Sequence, residues 1–197
     1  MSRRTHRAPM GNASGHLLLG LALALMALPA AAATWTCSVA ATGPNFGVYN
    51  PFAATPDEEN GTLNATCTLL SGNAATVTIT DSFSTGSSGT YANRTMLSGA
   101  NVLNYNLYYD AAYTEIRGNG TGGSQTGSAT LNLTKANPTQ VATGTIYGKI
   151  NAGQNVAAGT YTDTIVVTIT FLSRRLKQVG YLGASETGPT ARCSGQG

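Results

Sequence analysis

The sequence predicts an all-β protein, a sandwich of many short strands. Three observations carry that expectation. Apolar residues recur with period two in several separate stretches, the pattern of strands with one buried and one wet face. Clusters of Gly, Ser and Asn punctuate those stretches at short intervals. The composition, with 29 Thr, 24 Gly and only 10% charged residues, suits strands and turns better than helices. At 197 residues and 42% hydrophobic, the chain has room for one domain with appendages and enough apolar material for a core.

The N-terminal element is a leader. Arg3, Arg4 and Arg7 precede an apolar run from Leu17 to Leu28, then Pro29 and Ala30 to Ala33. This is the layout of a secretory signal peptide, and the run is short for a membrane span. Residues 1–33 are therefore expected to be removed, leaving a domain over 34–171 and a tail over 172–197.

The strands follow in order. Trp35, Cys37 and Val39 share a face in the first. Leu63, Ala65, Cys67 and Leu69 alternate with Thr62, Asn64, Thr66 and Thr68. Val77 and Ile79 sit between threonines, after a Ser71-Gly72-Asn73 turn. Leu103, Tyr105, Leu107 and Tyr109 alternate with Asn104, Asn106 and Tyr108, and Leu131 and Leu133 flank Asn132. In the last strand of the body, Tyr161, Ile165, Val167, Ile169 and Phe171 oppose Thr162, Thr164, Thr168 and Thr170, with Val166 out of pattern. Thr85 to Gly89 and Gly118 to Gly127 read as loops; the second has neither the Lys nor the helix of a phosphate-binding loop.

Charge excludes further classes. From Thr34 to Phe171 four basic residues (Arg94, Arg117, Lys135, Lys149) face seven acidic ones (Asp57, Glu58, Glu59, Asp81, Asp110, Glu115, Asp163). The body is net negative and lacks the clustered basic surface of a nucleic-acid binder. The tail is net positive, with Arg174, Arg175, Lys177 and Arg192 against Glu186. Both histidines, His6 and His16, lie in the leader, so the mature chain is expected to hold no imidazole for a triad or a metal.

No enzyme, catalytic residue, metal site or cofactor is expected. Asp110, Glu115 and Asp163 are the candidates for a carboxylate pair of the glycosidase kind. They read instead as turn or edge residues. Asp57-Glu58-Glu59 lacks the spacing of a calcium loop and reads as the cap of a solvent-facing loop. Asn60, Asn64, Asn93 and Asn132 each match the glycosylation pattern, which a Thr-rich chain meets by chance. The tyrosines, among them Tyr49, Tyr91, Tyr105, Tyr108, Tyr109, Tyr113, Tyr147 and Tyr161, offer stacking surfaces for a sugar or serve as packing.

Cys37 and Cys67 both fall on apolar faces of expected strands. They are either buried thiols or, as export to an oxidising compartment favours, a bridge. A bridge closing a loop of about 30 residues contributes roughly 3–4 kcal/mol on the chain-entropy account. Cys193, in Gly/Ser-rich sequence, is expected to be exposed.

Several stretches together resemble the spore coat protein U domain family, which includes subunits of archaic chaperone–usher pili. They are Cys37, Ala41-Thr42-Gly43 through Asn45-Phe46-Gly47-Val48-Tyr49, Pro51-Phe52 and Gly61 to Cys67. Leu103-Asn104-Tyr105-Asn106-Leu107-Tyr108 with Asp110-Ala111 is the most specific, followed by Gly118-Asn119-Gly120-Thr121. Thr145 to Ile150, Ala152-Gly153-Gln154 and Ala158 to Asp163 complete the set. The resemblance implies an incomplete immunoglobulin-like Greek-key sandwich with a disulfide, here Cys37–Cys67. It further implies periplasmic transit, a periplasmic chaperone, an outer-membrane usher and neighbouring pilus subunits as partners, and a final cell-surface or extracellular location. A donated strand fills a missing edge in such subunits. Here the last strand is the expected wall of that groove, with Ile165, Val167, Ile169 and Phe171 as its apolar surface.

Two departures from the family pattern stand out. After the expected cleavage only Thr34, Trp35 and Thr36 precede Cys37, a reach of about 10 Å. The chain is thus expected to accept a strand but not to donate one from that end. The tail 172–197 extends past the family's usual end and reads as flexible, with Leu172 to Leu182 capable of a short amphipathic helix. A self-contained coat or matrix protein and a carbohydrate-binding tip module are the competing functions.

Overall fold

A computed structural model describes residues 32–173, 182–185 and 190–193. The leader through Ala31 and most of the segment expected as a tail helix lie outside the described residues. Twelve strands are described: β1 (Thr34–Thr42), β2 (Asn45–Tyr49), β3 (Asp57–Ser71), β4 (Ala74–Phe83), β5 (Arg94–Ser98), β6 (Asn101–Tyr108), β7 (Gly127–Thr134), β8 (Thr139–Ile150), β9 (Gly159–Thr162), β10 (Val166–Ser173), β11 (Leu182–Ser185) and β12 (Thr190–Cys193). A single 3-10 turn, Gly86–Ser88, accompanies them. Among the described residues no helix is long and apolar enough to cross a membrane.

The strands form two sheets. One has the order β1-β3-β8-β6-β5-β9-β12-β2 and the other β11-β10-β4-β7. Only Gly43 and Pro44 separate β1 from β2, yet the two occupy opposite ends of the larger sheet. That sheet must therefore curl until its ends approach. Gly61 permits the approach: a Cβ there would collide with the backbone of Thr42, Gly43 and Pro44 at the β1–β2 corner. Gly148 on β8 serves similarly, since a Cβ there would meet the rings of Pro44 and Phe46.

The period-two pattern is realised almost residue for residue. Leu63, Ala65, Cys67 and Leu69 of β3, Val77 and Ile79 of β4, Leu103 and Leu107 of β6, and Leu131 and Leu133 of β7 are all buried in one core. Burial of each Leu, Ile or Val among them stabilises the fold by about 1.5–3 kcal/mol before entropy is counted. Cys37 lies directly opposite Cys67 in the β1–β3 register and is disulfide-bonded to it.

Three expectations are corrected. Asp57, Glu58 and Glu59 do not cap a loop; they open β3 and pair with Ile150, Lys149 and Gly148 of β8. The ion pair of Glu58 with Lys149 (3.1 Å) makes the charged start of the strand compatible with pairing. The last strand of the body is two strands, not one. The chain leaves the larger sheet after Thr162 and enters the smaller at Val166, turning where the Asp163 carboxylate accepts from its neighbour Thr164 N. Asn106, in the polar phase, is buried because it bonds a buried guanidinium. Beyond the expected body, β11 and β12 are described within 172–197, and Leu172 and Ser173 extend β10.

Candidate strand-accepting slot

The site follows from an account of backbone edges. Every buried strand edge needs a partner for its N–H and C=O groups. β1, β3, β8, β6 and β5 are joined in series by strands of the body. β4 lies between β7 and β10. Three edges have a different status. Among the described residues, β2 is paired only with β12. β9 meets β5 at a single position, Leu97 opposite Thr162, and is otherwise paired with β12. The edge of β10 away from β4 is covered by β11. The strands of the body thus leave a slot between β2 and the β9–β10 edge, and every strand described in that slot comes from the tail.

The walls of the slot belong to the core. Phe46 and Tyr49 of β2 and Tyr161 of β9 are buried, as are Ile165, Val167, Ile169 and Phe171. The four residues expected to line the groove therefore face the common interior, and Val166 is exposed, as its phase requires. At the start of β1, Trp35 and Thr36 are paired with Leu69 and Thr68 in the β1–β3 ladder.

A polar frame holds these walls in place. Tyr49 Oη donates to the Asn151 carbonyl (2.9 Å) and accepts from Gln154 N (2.9 Å), fixing β2 to the loop before β9. The Gln154 side chain stands in for a strand: its Oε1 accepts from Asn104 N (2.9 Å) and its Nε2 donates to Asn104 O (2.8 Å). Asp163, between β9 and β10, accepts from Ser87 N (2.9 Å), Ser87 Oγ (2.7 Å) and Tyr105 Oη (2.6 Å). Burial, and then the negative Asp163 beside it, push the Tyr105 hydroxyl far above its ordinary pKa. It remains a neutral donor at any physiological pH.

Arg94 on β5 is fully buried. It donates to the carbonyls of Ser84 (2.9 Å) and Arg117 (2.7 Å) and to Asn106 Oδ1 (2.7 Å), with Tyr91 against its guanidinium. Burial lowers its pKa, but an arginine retains its proton across the working range. Arg117 is paired with Asp81 (3.0 Å), donates to Thr145 O and lies over the Phe83 ring. Neither arginine was singled out as a site residue from the sequence. The available signal was phase: Arg94 precedes buried Met96 by two residues, on the inward face.

The candidate carboxylates Asp110 and Asp163 are engaged in hydrogen bonds that hold the fold. Asp163 is committed to Ser87 and Tyr105 as above. Asp110 organises a turn, accepting from Glu115 N (2.8 Å), Thr114 N (3.0 Å) and Thr114 Oγ1 (2.8 Å). These bonds, the one from Glu115 first, hold the Asp110 carboxyl below its usual pKa. Tyr113 packs edge-to-face on Tyr108 and on Tyr147, with Lys149 Nζ 4.7 Å from the Tyr113 ring centre. A cleft of about 270 Å³ between the sheets is lined by Leu63, Ile79, Tyr109, Arg117, Ala142 and Tyr147. No cluster of three or more His, Cys, Asp or Glu suited to a metal ion occurs among the described residues.

Comparison with known proteins bears on the same elements. The sequence matches the Spore Coat Protein U domain over residues 22–168. The chain belongs to that family. The matched range includes Tyr105, Asn106, Gln154 and Asp163, whose hydrogen bonds frame the slot. Protein U of Myxococcus xanthus is 37% identical over 136 residues, covering 64% of this chain and 70% of that protein. Among solved structures, CfaE, the adhesive subunit of CFA/I fimbria of enterotoxigenic Escherichia coli, aligns with a TM-score of 0.44 at 16% identity, covering 77% of this chain. This chain spans about half the length of CfaE (46%). The CooA pilin subunit from enterotoxigenic Escherichia coli aligns with a TM-score of 0.38 at 12% identity, covering 80% of this chain and 99% of CooA.

Proposed function

We propose that this Spore Coat Protein U domain chain is an exported, non-enzymatic structural subunit of a surface fibre or coat, whose sandwich is completed by addition of a β-strand. One observation carries the reading: the strands of the body leave β2 without a ladder partner and β9–β10 with an open edge. Strand addition suits such a slot, because main-chain bonds supply affinity and alternate side chains reach the core. An uncovered edge of this kind also aggregates. A subunit in transit through the periplasm therefore needs a chaperone, and assembly at an outer-membrane usher would exchange the chaperone's strand for a neighbour's. The leader and the Cys37–Cys67 bridge fit an exported chain.

The presence of β11 and β12 in the slot favours a second reading, a self-contained coat or matrix protein. The two separate by experiment. The mature chain, and the same chain ended after Ser173, are mixed with a synthetic strand of alternating apolar residues. A subunit that accepts strands gains melting temperature and protease resistance in at least the shortened form. A ligand at 100 times its Kd adds about 2.7 kcal/mol. If neither form responds, complementation by a partner is wrong.

A further inference from the structure

The register of the two tail strands says what occupies the slot. β11 is antiparallel to β10, with Leu182 opposite Ile169 and Ser185 opposite Val166. β12 is antiparallel to β9, with Thr190 opposite Thr162 and Cys193 opposite Gly159. Between the two ladders the tail advances five residues, Ser185 to Thr190, while its partner retreats four, Val166 to Thr162. Direction is kept and the offset changes by one residue. The two ladders thus run along the β9–β10 edge in one direction, their registers differing by one residue where β9 gives way to β10. Two unrelated contacts would have no reason to share direction and offset. β12 also lies parallel to β2, with Ala191 opposite Gly47 and Cys193 opposite Tyr49, so it bridges both walls.

We propose that Leu182–Ser185 and Thr190–Cys193 are the chain's own donor strand, closing the slot in cis, and that a strand from a partner enters by displacing them. This rests on the slot reading above and deepens it by naming the resident occupant. Three physical points support it. Pairing with the tail satisfies the backbone groups of β2, β9 and β10 that the body leaves open. The tail is tethered directly to Ser173 at the end of β10, so its effective concentration at the slot is on the order of millimolar without any partner. Its net positive charge complements the net negative body. Each tail strand is only four residues long, which keeps the closure open to exchange.

Cysteine pairs in the full mature chain test the register. Opposed residues of antiparallel strands have Cα atoms about 4.5–5.5 Å apart, within disulfide range. In a Cys193→Ser background, Thr162→Cys with Thr190→Cys, and separately Val166→Cys with Ser185→Cys, should oxidise to an intramolecular bridge in most molecules at low concentration. Thr162→Cys with Ala191→Cys, one residue out of register, should bridge at least tenfold more slowly. Non-reducing gels and mass mapping read the result. The unmodified chain offers a second measurement: hydrogen exchange at the β2 amides is slow if β12 covers them, and at least tenfold faster in the chain ended after Ser173. Bridges that form only between molecules, or no faster in register than out of it, overturn the proposal, as does fast exchange at β2 in the intact chain. Bridges in register with no uptake of a synthetic strand by the shortened chain would keep the cis donor and reject the fibre reading. Uptake without such bridges would do the reverse.

Discussion

The seam between β1 and β3 and the edge formed by β9 and β10 both present alternating apolar residues to the same core, but the chain closes them by different means. β1 pairs with β3 from Thr34 to Thr42, and Cys37 is bonded to Cys67 in mid-strand. β3 in turn pairs with β8 over twelve positions, Asp57 to Thr68. At the other edge, β9 has one bridge to β5 and takes its remaining pairing from a four-residue tail strand. Covalent closure suits a seam that stays shut through export. Short, non-covalent closure suits the strand exchange proposed above. On that proposal the same alternation serves permanence on one side and replaceability on the other, and the difference lies in what stands opposite each strand.

Four substitutions break or sharpen that contrast. The largest effect is expected from Cys37→Ser with Cys67→Ser. Loss of the bridge costs about 3–4 kcal/mol on the chain-entropy account, read as a lower urea midpoint. Strand uptake by the shortened chain should persist wherever the double variant remains folded; if uptake vanishes in that folded range, the two edges are not independent. Next is Arg94→Met, which strips donors from the Ser84 and Arg117 carbonyls and from Asn106 behind β5. Unpaired buried acceptors of this kind cost about 1–3 kcal/mol each, partly recovered by relaxation, so a loss of about 2–3 kcal/mol is expected. Unlike the disulfide variant, it should also weaken strand uptake, because Ser84 O and the chain leading into β10 are held together at this point.

Tyr105→Phe comes third. It removes the bond to Asp163 that steadies the crossing from β9 to β10 and should cost about 1–2 kcal/mol near neutrality. It also has a pH signature. The folded chain holds the Tyr105 proton above the pH at which the unfolded chain releases it. The resulting stability is therefore complete below the ordinary tyrosine pKa of about 10 and falls as pH rises beyond it. A melting series from pH 8 to 11 should show a shallower alkaline decline in the variant; an unchanged decline would mean that Tyr105 is already solvated. Smallest is Asp110→Asn. The carboxyl is held below its usual value of 3.8, so its contribution is present above that pH and is lost as pH falls through the lowered value. The group is fully exposed, and only a slight flattening of the acid limb below pH 4 is expected, with no change at the slot.

Much of this was legible from residue order. The inward phase of Leu63, Ala65, Cys67 and Leu69 placed Cys67 where a bridge could form, and the motif from Leu103 to Tyr108 identified the family. The misreadings share a cause. Asp57 to Glu59 read as a cap because three acids resist pairing, until Lys149 arrives from β8. Asn106 read as solvent-facing because nothing near it in sequence announces Arg94. Tyr161 to Phe171 read as one strand because the inward phase of Tyr161 is resumed by Ile165 and Val167 past Asp163, and only Ser87 and Tyr105 reveal the turn. The described tail strands β11 and β12 lie in sequence whose composition gives weak strand preference. An open edge supplies the pairing that composition does not.

Residue order alone determined the all-β class, which side of each strand faces inward, the pair of cysteines and the family. These depend on local alternation and on side-chain chemistry that travels with the chain. Tertiary structure decided which edges are sealed, where the last strand changes sheets and which segment lies in the slot. Alternation specifies a face, whereas pairing is a relation between backbone groups far apart in sequence, and only their meeting in space settles which donor finds which acceptor.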